Sequence, residues 1–366
     1  MLQLVFTLDY EIHGNGEGCP LELMVEPTDR MLDLFDCYGA KLTIMAEVAE
    51  ILRFREHAVT TGRDQFGYEA IVGQLRRAVA SAHDVQLHLH PSYCRAVYRE
   101  GRWQQDYASY DLARLRHDRL VKLIGVGKAY LEDTLRGAQS HYTCSVFRAG
   151  HWSMHPSRDV VEALATNGIR IDTSVFKWGR RDGLVKFDYG AAWHRFVPWP
   201  IDVADICKPD PMGSVFEVPI CTEHRPWWAF VTLYRVRRML QSRVHRLGAG
   251  YSGNKTNSIS SITRAAGSAF KRHAWKLDFN QCTGRQLVRA LRRAERENRG
   301  APCTLPIVLI GHSNFFTRAN VRNLRLVLEY VARRQNRFAF ARFDEVDFEA
   351  IRSRFSWGTQ HRQSVG

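Results

Sequence analysis

The feature that most constrains this chain is where its polar residues fall. Short apolar runs alternate with longer amphipathic stretches, and several of the runs end on a charged or imidazole side chain. The runs are Leu2–Tyr10, Lys41–Ala46, Val85–His90, Thr143–Arg148, Ile169–Asp172, Val215–Ile220, Ile307–Gly311 and Phe338–Phe343. Between them, Thr28–Tyr38, Tyr68–Ala80, Leu112–Leu135, Pro156–Asn167, Arg285–Asn298 and Asn320–Arg334 repeat apolar residues at helical spacing. This alternation predicts an α/β fold of parallel strands joined by crossover helices. About eight β units in 366 residues suit a barrel better than an open sheet. A parallel barrel gathers its chemistry at the C-terminal ends of its strands. Asp9 and Glu11, His88 and His90, Arg148, Asp172 and His312 all fall at such ends.

Several classes drop out early. No run approaches the ~18 consecutive apolar residues of a spanning helix. The composition, 45% hydrophobic and 25% charged, is that of a globular chain and not a disordered one. The eight cysteines stand singly with no CxxC, so zinc ribbons and dithiol redox motifs are excluded, and the thiols read as buried in a reducing compartment. Met1–Leu8 is too short for a signal core and runs straight into Asp9 and Glu11, so it reads as the first strand. The expected location is therefore the cytoplasm.

The net charge of +14 is lopsided: residues 225–276 hold eleven Lys/Arg and no Asp or Glu. Within this insert, Leu233, Val236, Leu240, Val244 and Leu247 form an apolar stripe, with Arg235, Arg238 and Arg246 off it. That is a basic amphipathic helix, followed by a Gly/Ser/Asn-rich loop over 248–261. Trp227, Trp228, Tyr234 and Trp275 add rings that favour interfaces. The helix either packs on the domain with its basic face in solvent or lies on an anionic membrane surface or lipid-linked substrate. The second reading puts the protein at the inner face of the membrane as a peripheral partner. Nucleic acid is disfavoured, because no recognisable binding module accompanies the charge. Beyond about residue 358 the tail is polar and reads as frayed.

His88-Leu89-His90-Pro91 sets two imidazoles at i and i+2, which a strand turns to one face, as chelation requires. Asp9 and Glu11 have the same relation on the first strand. Two histidines and one carboxylate make a hydrolytic zinc site, which leaves the other carboxylate to act as a base. Which carboxylate takes which role stays open at this level.

At these positions the chain resembles the polysaccharide deacetylases of the NodB-homology type, the carbohydrate esterase four class. Phe6–Glu11 resembles the first motif, His83–Pro91 the second, Phe147–Trp152 the third, Ile171–Val175 the fourth and Leu309–His312 the last, with Phe216–Ile220 similar to a further strand of the family. The resemblance implies a distorted (β/α) barrel spanning residues 1–350, carrying 225–276 as a basic insert. It departs from the usual pattern in three ways. Tyr10 stands where a second Asp is usual, the histidines are spaced HxH and not HxxxH, and the third motif lacks its proline. These features resemble a divergent branch with DYE and HLHP motifs.

The resemblance also implies a mechanism: hydrolysis of an N-acetyl or N-formyl group on a sugar, polysaccharide or lipid-linked saccharide, with a divalent metal, zinc foremost. Glu11, His88 and His90 would hold the metal. Asp9 would be the base, His312 the acid, Arg148 the group that orients Asp9, and Asp172 the group that keeps His312 protonated. Trp152 and Trp178 would stack on sugar rings. The alternative is a catalytically inactive carbohydrate-binding module on the same fold, which the Tyr10 substitution keeps open. Two other readings fail on local grounds. Gly311-His312-Ser313-Asn314-Phe315 begins like a nucleophile elbow but has Phe where the tight turn needs Gly. Gly14-x-Gly16-x-Gly18 follows a strand but leads into Cys19-Pro20 and not a dinucleotide-binding helix.

Overall fold

The structure, a computed structural model, describes every residue except His13, 231–271, Pro302, Arg354 and 356–366. All eight predicted strands are present: β1 (Leu2–Tyr10), β2 (Leu42–Glu47), β3 (Asp84–Leu89), β4 (Val146–Ala149), β5 (Ile171–Asp172), β6 (Phe216–Glu217), β7 (Leu305–His312) and β8 (Phe338–Phe340). Strands β6, β5, β4, β3, β2, β1 and β7 neighbour one another in that order, all parallel. β8 pairs only with the start of β1, over Leu2–Leu4, and adds no full stave.

The sheet curls until its ends meet. Ile220, just beyond β6, forms a parallel bridge to Val308 on β7. Above it the chain at Leu277–Phe279 slots along β7, with Ile310 N–H donating to Leu277 O and Phe279 N–H to Ile310 O. On its other side β6 pairs antiparallel with Trp199–Asp202, which turns back as Asp205–Pro209. The result is a distorted (β/α) barrel with a seam closed by single bridges in place of a full ladder.

The helices pack outside: α1 (Glu26–Asp36), α2 (Val48–Thr61), α3 (Tyr68–Ala80), α4 (His117–Leu135), α5 (Arg158–Thr166), α6 (Gly284–Glu297) and α7 (Arg318–Ala332). The helix predicted over Leu112–Leu135 begins only at His117, after one separate turn at Leu112–Arg114. Helix α2 was not foreseen. Its N-cap is Glu47, outside the usual Ser/Thr/Asp/Asn set, with its carboxylate accepting from Ala49 N–H and Glu50 N–H. Gly62, at φ +68°, ends it in the left-handed conformation that glycine adopts without strain.

The basic insert leaves the barrel through a two-stranded ribbon, Thr222–Pro226 against Arg272–Lys276. The predicted amphipathic helix beyond Phe230, the loop over 248–261 and the tail from 358 lie outside the described residues. Part of the insert reading is corrected by the ribbon. Trp275 is a buried core ring with Arg225 over it, and Arg225 is ion-paired to Glu223. Of the rings once assigned to an interface, Trp228 is half exposed. No helix among the described residues is long and apolar enough to cross a membrane.

Two features of the barrel interior are open to test. Gly311 sits at the seam, where an added Cβ would lie 2.0 Å from the Phe279 ring. Gly311→Ala should therefore cost about 1–3 kcal/mol through overpacking, read as a lower urea midpoint. Asp172 and Glu217 face each other on β5 and β6, both fully buried. Burial first, and then the Asp172 charge, push the Glu217 carboxyl well above its ordinary range, so the pair holds a proton on Glu217. Below about pH 4.5 Glu217 is neutral folded and unfolded alike; above it the unfolded chain ionises first and stability falls. Glu217→Gln cannot ionise. Its stability relative to wild type should therefore rise as the pH is raised above about 4.5 in urea unfolding, and a flat difference would refute the shared proton.

Candidate metal and acid–base site

Strand register brings the motif residues together. Asp9 on β1 pairs with His312 on β7, and His88 on β3 pairs with Arg148 on β4. Glu11 lies two residues beyond Asp9 and returns to the same face. Tyr10 points the other way, fully buried, and donates its hydroxyl to Gln74 Oε1 at 2.7 Å. The substitution in the first motif therefore falls on the core side of the strand, and Glu11 faces the histidines.

Glu11 Oε2 lies 3.0 Å from His90 Nε2 and 3.5 Å from His88 Nε2, and the two Nε2 atoms are 3.1 Å apart. A tetrahedral ion with ~2.0–2.1 Å bonds sets its donors roughly 3.3 Å apart, so the three separations fit one ion. The second ring nitrogen of His88 is committed: Nδ1 lies 2.9 Å from Arg148 O, which fixes it as a donor and leaves Nε2 as the nitrogen that faces Glu11. His90 is positioned through its backbone, whose N–H donates to Glu47 Oε2 at 2.5 Å. Gly150 makes room for its ring, since a Cβ there would lie 2.6 Å from His90 Cγ. Burial would raise the Glu11 pKa, but the two histidines outweigh it and hold the carboxyl well below its usual range. Burial would lower His88, but the Glu11 hydrogen bond and the Asp9 charge raise it to about 9. A carboxylate and two imidazoles turned to one point are the donor set of a divalent cation, which would displace a proton from any imidazole that carries two.

Beside this set, Arg148 is fully buried and binds Asp9 Oδ1 through Nη1 at 2.5 Å. Its Nε donates to Thr173 O and its Nη2 to Thr7 Oγ1, both at 2.9 Å. Burial, which disfavours a carboxylate, is outweighed by Arg148, His88 and His312, so Asp9 stays below its ordinary pKa. Its second oxygen, Oδ2, faces His312 Nε2 at 3.5 Å. The backbone N–H of His312 donates to Asn280 Oδ1 at 2.6 Å, which anchors the end of β7.

Three expected placements differ. Asp172 is not the partner of His312. Its oxygens accept from Ser174 N–H and Oγ–H, it faces Glu217, and Asp9 takes the place beside His312. The reason is register, because Asp172 pairs with Phe147, one residue short of Arg148. Trp152 lines the cavity, but Lys276 Nζ lies 3.3 Å from its ring centroid and covers one face. Trp178 stacks on His224, centroids 4.7 Å apart and planes 9° apart, and does not line the cavity. Ser313, the residue of the rejected nucleophile elbow, is buried with its Oγ on Glu11 O.

The cavity holds about 130 Å³ and is also lined by Tyr93, Gln105, His151 and Arg181. His151 and Trp152 are consecutive residues at positive φ, +56° and +57°, which turns the His151 ring onto Tyr110, 4.3 Å away. Burial, and then the nearby His90, push His151 down to about 2, so it is a neutral imidazole. His151 was within the third motif and could have been noticed there. Arg181 carried no signal, and Lys276 was counted only within the basic stretch 225–276, because neither belongs to a motif and both reach the site through hairpins between barrel strands.

No family model and no curated protein matches the chain. Among solved structures it is similar to the "putative polysaccharide deacetylase" of Mycobacterium smegmatis, at 14% identity over 96% of this chain and 91% of that one, with a TM-score of 0.48. It is also similar to Puue allantoinase, at 13% identity over 96% and 89%, TM-score 0.46. A third is the "probable polysaccharide deacetylase" of Pseudomonas aeruginosa PAO1, at 14% identity over 96% and 90%, TM-score 0.45.

Proposed function

We propose that the chain is a metal-dependent hydrolase that removes an N-acyl group, acetyl or formyl, from a saccharide. The observation that supports this best is the convergence, in one small cavity, of the Glu11–His88–His90 donor set with the Asp9–Arg148 pair and His312. A cavity of about 130 Å³ is well below the ~300–1,000 Å³ of sites that enclose a whole ligand. It suits a short acyl group, with the rest of the saccharide outside.

Glu11, His88 and His90 would hold the cation, and zinc suits two imidazoles and a carboxylate. A divalent cation there supplies Lewis acidity, polarising an amide carbonyl and bringing the pKa of water toward ~7. Asp9 is kept ionised by Arg148, and its Oδ2 is free of that guanidinium to accept a proton from an attacking water. The same oxygen lies beside His312 Nε2, which donates to the departing amine, so acceptance and delivery of the proton occur at adjacent atoms. Arg148 positions both halves: its guanidinium holds Asp9, and its carbonyl holds the His88 ring. The reading as a non-catalytic binding module has less support, because Tyr10 is turned into the core and Glu11 stands with the histidines.

The charge of 225–276 supports one extension: the acylated saccharide is lipid-linked or anionic and is met at an anionic membrane. Wild type should then float with anionic but not neutral vesicles, and changing Arg235, Arg238 and Arg246 together to Glu should abolish flotation, each cation near the surface being worth ~1 kcal/mol. Absence of flotation at low salt would reject the extension.

His88→Ala or His90→Ala should lose bound metal and acyl release together, because each leaves two protein donors where catalytic zinc sites use three. Elemental analysis of the purified variants reads this, and full occupancy in either would remove the metal assignment. Asp9→Asn and His312→Ala should keep the metal and lose ~10²–10⁴ in the rate of acetate or formate release. A rate within a few-fold of wild type for either variant would reject its acid–base role.

A further inference from the structure

Two cations gather at Trp152, on the rim of the cavity. Lys276 Nζ lies 3.3 Å from the ring centroid, and Arg181 Cζ lies 5.6 Å from it. Arg181 comes from the hairpin Arg180–Asp182/Lys186–Asp188. On the outer face of that hairpin the charges are matched, Arg180 with Asp188 at 3.7 Å and Lys186 with Asp182 at 3.4 Å. Strand alternation turns Arg181 to the opposite face, opposite the buried Phe187, and into the lining of the cavity. Among the described residues no carboxylate is ion-paired to it. Its distance from Trp152 is near the ~6 Å limit of a cation–π contact, so the ring does not account for its position.

Lys276 is also without an ion pair among the described residues. The carboxylates that face it are Asp9 and Asp278, the latter with its Oδ2 buried and without a hydrogen-bond partner. Asp9 binds Arg148 and faces His312, while Asp278 Oδ1 accepts from the N–H groups of Asn280 and Gln281. Burial pulls Lys276 down to about 7, against the pull of those two acids and with the help of Arg148 and Arg181. An anion placed beside it would restore its full charge.

We propose that Arg181 and Lys276 form a phosphoryl-binding subsite at the mouth of the cavity, so that the N-acyl saccharide acted on carries a phosphate ester. A planar guanidinium fork and a compact ammonium, both set about the Trp152 ring, match the several oxygens of a phosphate, whereas a carboxylate would be satisfied by the arginine alone. The identity of the sugar in the cavity rests on the hydrolase reading; the anion site itself does not.

The test is calorimetric titration of the full chain with N-acetylglucosamine 1-phosphate and with N-acetylglucosamine. Wild type should bind the phosphate ester at least ~10-fold more tightly, and inorganic phosphate should compete with the ester. Arg181→Gln and Lys276→Met should each bring the ratio of the two dissociation constants below about threefold, with Lys276→Arg retaining most of it. Arg181 is on the rim, so its variant stays informative if Lys276→Met fails to fold. Equal affinity for the two sugars in wild type, no detectable binding of the ester, or an unchanged ratio in Arg181→Gln would each overturn the subsite. So would loss of the ratio only in Arg289→Glu/Arg292→Glu, which would move the anion to the arginine-lined groove between α6 and α7.

Acetate release from the same two sugars separates this proposal from the hydrolase reading. Release from neither sugar, with the binding ratio intact, would sink the hydrolase and uphold the subsite. Release from both with equal affinity would do the reverse. The same sugar phosphate carried on a prenyl chain in micelles identifies the source. Equal affinity assigns a soluble ester and tighter capture a lipid-borne one, and either result upholds the subsite.

Discussion

The buried ion pair between Arg148 and Asp9 is the contact on which the rest of the site depends. A guanidinium with no exposure to water must have its donors satisfied inside the barrel, and here they reach Asp9 and Thr7 on β1 and the Thr173 carbonyl beyond β5. Thr7 passes the connection to Leu309 on β7, and Thr173 to Val218 beyond β6. One side chain therefore cross-links much of the ring. Desolvating two charges makes such a pair a weak source of net stability, yet losing one partner costs about 3–5 kcal/mol because the other is left buried and unpaired. That asymmetry favours a single arrangement of the strand ends, which acid–base chemistry requires.

The same residue divides the site into two electrostatic jobs. Its guanidinium keeps Asp9 ionised, and its carbonyl faces the His88 Nδ1 and so leaves Nε2 toward Glu11. Two carboxylates only two residues apart, one on β1 and one just beyond its end, thus meet different environments. Asp9 is bound by a guanidinium and faces His312, whereas Glu11 is flanked by two imidazoles. A third carboxylate, Glu217, is kept protonated by burial and by Asp172, and takes no part in the cavity. The outer rim is cationic, with Arg181 and Lys276 beside Trp152. Negative charge is concentrated at the proposed cation set and positive charge where a substrate anion would arrive.

Much of this was legible in the sequence because strands keep a period of two. Asp9 and Glu11, and His88 and His90, had to share faces once the runs were read as strands, and parallel pairing had to put their C-terminal ends together. Helix α2 escaped because its cap is a glutamate, which sequence rules do not count among N-cap residues. The resemblance to the deacetylases implied that Asp172 keeps His312 protonated. Which strand ends meet depends on register, and a shift of one residue turned Asp172 toward Ser174 and Glu217.

The sequence by itself determined the alternation of strands and helices, the two i, i+2 pairs of donor residues and the concentration of positive charge in 225–276. These are local properties, set by side-chain period and composition. Only the tertiary structure decided that Glu11 and not Asp9 faces the histidines, that Asp9 bridges Arg148 and His312, and that one face of Trp152 is covered by a lysine 124 residues further along the chain. Those outcomes depend on strand register, on how the barrel closes at its seam and on where hairpins outside the motifs fold back. No period in the sequence encodes them, because each joins residues whose separation along the chain has no bearing on their separation in space.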